Sequence, residues 1–368
     1  MNRRRLLRLL GAGALILPGG SATTLRAFAE AAPPFDHAGL VEDFLEGFLR
    51  PATARFAAAA MGLDEAARAQ CARPDDAGLG ATTRAAFSSA ALAYAPLDIV
   101  RFGPSHEAAR PERLLLYPDP KGLVRRQVEK ELAARAPSVL DAASLHGKSV
   151  ALQGLPALEI LLFAAPAGLP AEETQFRCGF AAAIAANIRR IAGDLDRDWR
   201  DESGFARLMR TPSADNPAYL DANEVTLGIA QTFVNGIEQI RDSRLAGPIG
   251  LRAVDKAPTP GILETAGLTL PYIVAGLEGL GALYGDGGIE KRVTTADHGI
   301  ARLIGEEIET AAAAVRRAGT DLDAARKGEG RRAIIAAGFP LRNAQQLAAE
   351  LITQAAGVTV GFNAGDGD

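Results

Sequence analysis

The chain has 368 residues, 48% of them hydrophobic and only 5% aromatic, with a formal charge of −4 at pH 7. That length suits two domains of ordinary size with a large buried core, and the acidic balance argues against a nucleic-acid partner, which needs a basic patch. A chain rich in Ala and Leu and poor in aromatic residues favours helices over sheets, so the reading is an all-α protein.

Residues 1–29 read as a signal peptide rather than as part of the fold. Arg3, Arg4, Arg5 and Arg8 form a positive start, Leu9 to Leu17 a short apolar run, and Ala27-Phe28-Ala29 a small-residue cleavage signal. The arginine-rich opening is similar to a twin-arginine export signal, with plain secretory export as the alternative. Cleavage after Ala29 removes five arginines and no acid, leaving 35 basic and 44 acidic residues. The mature chain is expected in the periplasm. No later apolar run is long enough to predict a transmembrane segment.

The mature chain then alternates helices and breaks. Helical spacing predicts a helix over 40–61, with Val41, Phe44, Leu45, Phe48 and Leu49 inward and Pro51 as a kink or interruption. A second helix spans 75–95 and ends at Pro96. Residues 97–122 are irregular, interrupted by Pro104, Pro111, Pro118 and Pro120, and a long irregular stretch inside a domain is often functional. A helix resumes over 123–133. The longest one covers 173–199, with Cys178, Ala181, Ile184, Ala185, Ile188 and Ile191 facing the core and Arg189, Arg190 and Arg197 in solvent. Residues 204–216, with Pro212 and Pro217 at its end, form the best boundary, dividing an N-terminal helical bundle (30–203) from a C-terminal one (217–368). Helices over 219–245, 268–284, 295–318 and 331–356 make up the second, the last with a break near Gly338-Phe339-Pro340. Two packed helical bundles follow.

Between the irregular segment and the longest helix lies Gln153 to Phe163. Gly154 breaks what precedes it, and Pro156 sits where a helix start has no N–H to lose. At about 100° per residue, Leu155, Leu158 and Leu162 share one face, and Glu159 points within about 40° of Leu155. A carboxylate on the edge of an apolar stripe must be paired, protonated, bound to a metal or aimed into a wet cleft, because taking it out of water unpaired costs several kcal/mol. Arg101 and Arg126 are the candidates to pair with Glu159 or Asp119. The two cysteines, Cys71 and Cys178, meet an oxidising compartment after export. They form either one disulfide or two buried thiols.

The stretch resembles the signature of the imelysin-like family of bacterial envelope proteins, in which a helix opens with Gly-x-His-x-x-Glu. Gly154, Pro156 and Glu159 stand at the matching places, so Pro replaces His. A His and a Glu three residues apart share a helix face and can hold one metal ion, whereas Pro has no ligand atom. Four more stretches carry the resemblance: Arg101-Phe102-Gly103-Pro104, Tyr117-Pro118-Asp119 followed by Arg126-Gln127-Val128, Phe176-Arg177-Cys178, and Gly361-Phe362-Asn363-Ala364 before Asp366-Gly367-Asp368. The resemblance implies two helical bundles side by side and a link to iron acquisition. It implies a pocket around Glu159, Gly154, Pro156, Arg101, Asp119, Arg126 and Gln127, with Glu159 as the one ligand left for an iron or other divalent metal ion.

Catalytic alternatives find little in the residues. There is no G-x-S-x-G elbow and no H-E-x-x-H; His106-Glu107-Ala108-Ala109-Arg110 ends in Arg. No nucleotide-binding glycine loop follows a strand. The reading is a non-enzymatic protein that takes a small ligand or a metal ion. The alternatives are an accessory protein for an envelope transporter that lacks a metal site, and a peptidase.

Overall fold

The computed structural model describes residues 34–164, 168–251 and 258–360. The predicted signal peptide and the motif from Gly361 to Asp368 lie outside the described residues. Among those described there are helices and turns but no strand, and the helices form two bundles.

The first bundle is built on α2 (Arg50–Ala72), α3 (Ala77–Tyr94) and the longest helix, with α7 (Leu155–Phe163) packed on the last two. Short helices α4 (Arg110–Leu114), α5 (Leu123–Ala134) and α6 (Ala142–His146) cover α7 and its approach. The longest helix, α8 (Ala171–Arg200), lays the predicted face, Ala181, Ile184, Ala185, Ile188 and Ile191, into the core. Two of its expected solvent arginines also work: Arg189 reaches the Asp64 carboxylate at 2.8 Å, and Arg190 pairs with Asp194. Asp64 is buried, so this pairing neutralises a charge that would be costly alone. The Cys71 and Cys178 sulfurs are bonded at 2.10 Å, tying the end of α2 to the early turns of α8.

The helix predicted around Pro51 is not broken there. A short α1 (His37–Glu42) passes into a π-helical segment, Asp43–Leu49, and then directly into α2 with Pro51 in its first turn. Proline cannot donate to the carbonyl four residues back, and a widened turn just ahead of it accommodates that loss without ending the helix.

The second bundle contains α10 (Ala222–Glu238), α11 (Thr269–Tyr284), α13 (His298–Arg317) and α15 (Gly328–Ala356), preceded by the connecting α9 (Phe205–Arg210) and joined by the short α12 (Ile289–Val293) and α14 (Leu322–Ala325). Asp221 caps α10 by accepting from the Asn223 and Glu224 N–H groups. The break expected near Pro340 does not occur, and α15 runs through it. Ala337, Leu341 and Ala344 are buried on either side, in a helix packed along α13. That packing outweighs one lost backbone hydrogen bond.

The first described helix, α1, and the residues beside it pack on the second bundle. His37 Nδ1 lies 2.7 Å from the Thr226 hydroxyl, and the buried Arg292 donates to the Asp36 carbonyl and to the Asp43 carboxylate. The bundles also meet where the turn Ala95–Leu97 seats on α11. Gly279 permits that approach: a Cβ there would stand 2.6 Å from the Pro96 ring. One continuous hydrophobic core runs through both bundles, so the boundary over 204–216 is a proposal about folding units, not a gap in packing.

Candidate functional site

Gly154 caps α7 with an extended backbone, and Pro156 occupies the first turn. Glycine is needed here for space. A Cβ would come within 2.4 Å of the Arg113 and Leu114 carbonyl oxygens. This close approach lays α7 against the end of α4 and fixes which way Glu159 points. Most of α7 is buried, and Glu159 is itself only 8% exposed.

The carboxyl of Glu159 faces a cleft of about 220 Å³ between the bundles. One wall is α7, with Pro156 and Ile160; the second is the irregular segment from Leu115 to Pro120; the third is the loop 259–265 of the second bundle. Glu159 Oε1 accepts the Ala266 N–H at 2.8 Å. Burial pushes the carboxyl up to about 7. The Ala266 and Thr265 N–H groups and the Arg125 charge oppose that rise, while the Glu264 charge adds to it. Glu159 therefore changes protonation near neutral pH, in contact with a cavity.

The other predicted residues part company. Pro156 and Asp119 line the cleft. Both Asp119 oxygens, however, are occupied at 2.8 Å by the Leu123 and Val124 N–H groups at the start of α5. Arg101 does not reach Glu159 and pairs with Asp98 at 2.7 Å. Arg126 does not reach it either; it is exposed and donates to the Lys121 carbonyl. Gln127 is half-buried on α5, outside the cleft lining. Away from the cleft, a histidine not among those predicted, His146, has Nδ1 2.6 Å from Arg190, in a polar cluster with Arg113 and the buried Gln153. Burial and the Arg190 and Arg113 charges hold its pKa below the usual histidine value.

Sequence reasoning missed the loop that completes the site, Glu264-Thr265-Ala266, because its contribution is mainly backbone. It also missed Asp98, the acid that captures Arg101. A signal for that residue was present: Asp98 stands in an apolar run, Leu97-Asp98-Ile99-Val100.

The sequence matches the imelysin (peptidase M75) family over residues 49–355. The chain belongs to the imelysin family. No curated protein matches it. Among solved structures, it is similar to an imelysin-like protein from Psychrobacter arcticum, with a TM-score of 0.73 and 21% identity over 90% of this chain and 100% of that one. It is also similar to a putative iron-regulated protein A precursor from Parabacteroides distasonis, with a TM-score of 0.71 and 13% identity over 89% of this chain and 97% of that one. At these identities the likeness establishes the imelysin fold.

The resident metal suggested by the imelysin signature does not fit the residues of this imelysin. Pro156 offers no donor atom, and Asp119 is committed to the cap of α5. Glu264 accepts from Arg326 at 2.8 Å and from the Gly261 N–H at 2.5 Å. Glu159 is left as a lone candidate donor, and its raised pKa favours a proton over a cation. Among the described residues, no three or more His, Cys, Asp or Glu side chains converge as a metal site would require.

Proposed function

We propose that this imelysin is a non-catalytic periplasmic binding protein, associated with iron uptake, that takes a small hydrogen-bonding ligand in the Glu159 cleft. The observation that carries the reading is a buried carboxyl aimed into a cavity, with one backbone N–H as its close partner. A protonatable group in a mostly apolar cleft with a few convergent polar atoms is the usual makeup of a ligand site. At about 220 Å³ the space falls below the range of roughly 300–1,000 Å³ typical for drug-sized ligands, which points to a smaller one. Below neutral pH the carboxyl donates through its O–H; above it, the carboxylate accepts.

The periplasmic location is supported by the leader over residues 1–29, and the association with iron by the imelysin signature. The Parabacteroides distasonis neighbour, named as an iron-regulated precursor, agrees with both. No helix among the described residues is long and apolar enough to cross a membrane.

The test compares wild type with Glu159→Ala. Native mass spectrometry of protein purified from the periplasm is expected to find a small organic molecule on the wild type and none on the variant. Titration with ferrous, ferric, copper and zinc ions is expected to give equal affinities for the two proteins. An ion held tightly by the wild type and lost in the variant would replace this reading with direct chelation. Equal retention of the organic molecule by the two proteins would remove the cleft as its site.

A further inference from the structure

A second groove lies on the seam between the bundles and shares no lining residue with the Glu159 cleft. Its volume is about 590 Å³, within the range of roughly 300–1,000 Å³ usual for small-molecule sites. Both bundles contribute apolar side chains to it: Phe48 ahead of α2, Leu92 at the end of α3, and Leu270, Val274 and Ala275 along α11. Gly279 and Pro96, which bring the bundles together, stand in its wall. Leu92, Val274 and Ala275 are only half-buried. Apolar surface left in reach of water costs free energy until something covers it, and a contiguous patch of it marks a place for a ligand or partner.

Three charged side chains line this groove: Arg55, Glu278 and Arg316. Glu278 and Arg316 neutralise each other at 2.5 Å. Arg55 belongs to no pair. It is exposed, and among the described residues it makes no ion pair and no hydrogen bond. Arg50 and Arg68 of the same helix, by contrast, each hold an acid, Glu46 and Asp64. With two arginines against one glutamate, the lining carries one positive charge over an apolar floor, in a chain whose own charge is −4. A surface guanidinium on a long stem keeps its donors open to an incoming group.

We propose that the groove binds a free single-chain anionic amphiphile of the medium-chain carboxylate type, with its chain against Leu92, Val274 and Ala275 and its head group on Arg55. Each methylene removed from water adds to affinity, and the planar guanidinium matches the two oxygens of a carboxylate. A neutral head group leaves Arg55 unmatched, and a cationic one meets it as a like charge. The site stands independently of the Glu159 cleft.

The experiment titrates decanoate, below its micelle concentration, into the purified chain. Calorimetry reads the affinity, and NMR follows the methyl signals of Leu92 and Val274. Decanol and decyltrimethylammonium serve as controls with the same chain and a different head. The expected result is a saturable shift of both methyl signals, with decanoate bound about tenfold or more tighter than decanol and the cation bound most weakly. Arg55→Met should erase the preference for decanoate and leave decanol unchanged. Ala275→Trp, which fills the groove, should weaken all three. Equal affinity for decanoate and decanol overturns the proposal, and so does a preference that survives in Arg55→Met or methyl signals that do not respond. Sedimentation with phosphatidylglycerol vesicles in the absence of saturable decanoate binding would replace it with a membrane contact. Because Arg55 is exposed, its variant is expected to fold; should Ala275→Trp fail to, the Arg55→Met comparison decides.

Discussion

The Asp98 carboxylate meets the Arg244 guanidinium at 2.6 Å, with both side chains 4% exposed, where the first bundle's irregular segment begins and the π-helical segment Gln239–Ala246, which continues α10, passes it. Asp98 also takes Arg101 at 2.7 Å and the Gln239 amide at 3.1 Å, while the Tyr117 ring lies 4.6 Å over the guanidinium. The pair joins the two bundles directly beneath a wall of the Glu159 cleft. Removing one partner strands the other charge in a site closed to bulk solvent. Asp98→Ala is therefore expected to cost about 3–5 kcal/mol, and the double change Asp98→Leu with Arg244→Met to recover most of it. Denaturant unfolding of both variants checks this. A double variant as unstable as the single one would mean that the geometry of the pair, not its charge, holds the seam.

Glu159 makes stability depend on pH with a definite sign. Its folded pKa, about 7, lies above the ordinary 4.5, so the folded state binds the proton more tightly than the unfolded one. Below about pH 4.5 the carboxyl is protonated in both states and carries no penalty. As pH rises through 4.5 to 7 the unfolded chain releases the proton first, and stability falls, by about 3 kcal/mol in all. Glu159→Gln keeps an acceptor for Ala266 and cannot ionise. The variant should match wild type near pH 4.5 and exceed it by up to about 3 kcal/mol at pH 8. Paired urea titrations across that range measure the difference; a gap that does not widen with pH refutes the assignment.

Gly154→Ala tests whether α7 is held by close backbone approach. Its φ of −112° is open to any residue, so the cost is steric, from a methyl 2.4 Å from two carbonyl oxygens. The expected loss is about 1–3 kcal/mol. Because the contact aims α7, the apparent pKa of Glu159, followed by carboxyl-selective NMR, should also shift. An unchanged midpoint and pKa would show that α4 yields freely.

The Cys71–Cys178 bond closes a separation of 107 residues. In the chain-entropy account its removal destabilises by about 4–5 kcal/mol. Cys71→Ser should lower the unfolding midpoint accordingly, and thiol counting on the unfolded, unreduced protein should find no free thiol. Two free thiols would place the cysteines in the reduced state.

The helices were legible because the apolar residues that make them recur at the helical period, as in Ala181, Ile184, Ala185 and Ile188 on α8. The caps went unread, although Asp76 and Asp221 each precede a helix whose first N–H groups they accept. Proline misled twice: a widened turn ahead of it accommodates Pro51, and packing along α13 outweighs the donor missing at Pro340. Of the candidate site, Glu159, Pro156 and Asp119 reach the cleft; Arg101 and Arg126 do not. Which acid an arginine meets depends on chain crossings that no spacing rule encodes: Arg101 found Asp98 three residues away, and Arg244 came to the same carboxylate from 146 residues downstream.

Local chemistry in this protein is written along the chain. Periodicity makes the helices, Gly154 and Pro156 start α7, and the helical turn puts Glu159 on its apolar edge. Whether that carboxyl would be paired, protonated, metal-bound or hydrated was decided only when the loop ending at Ala266 folded over it, 107 residues away. Burial and hydrogen-bond partners are properties of the assembled seam, because desolvation depends on every atom that excludes water, and those atoms come from distant parts of the sequence.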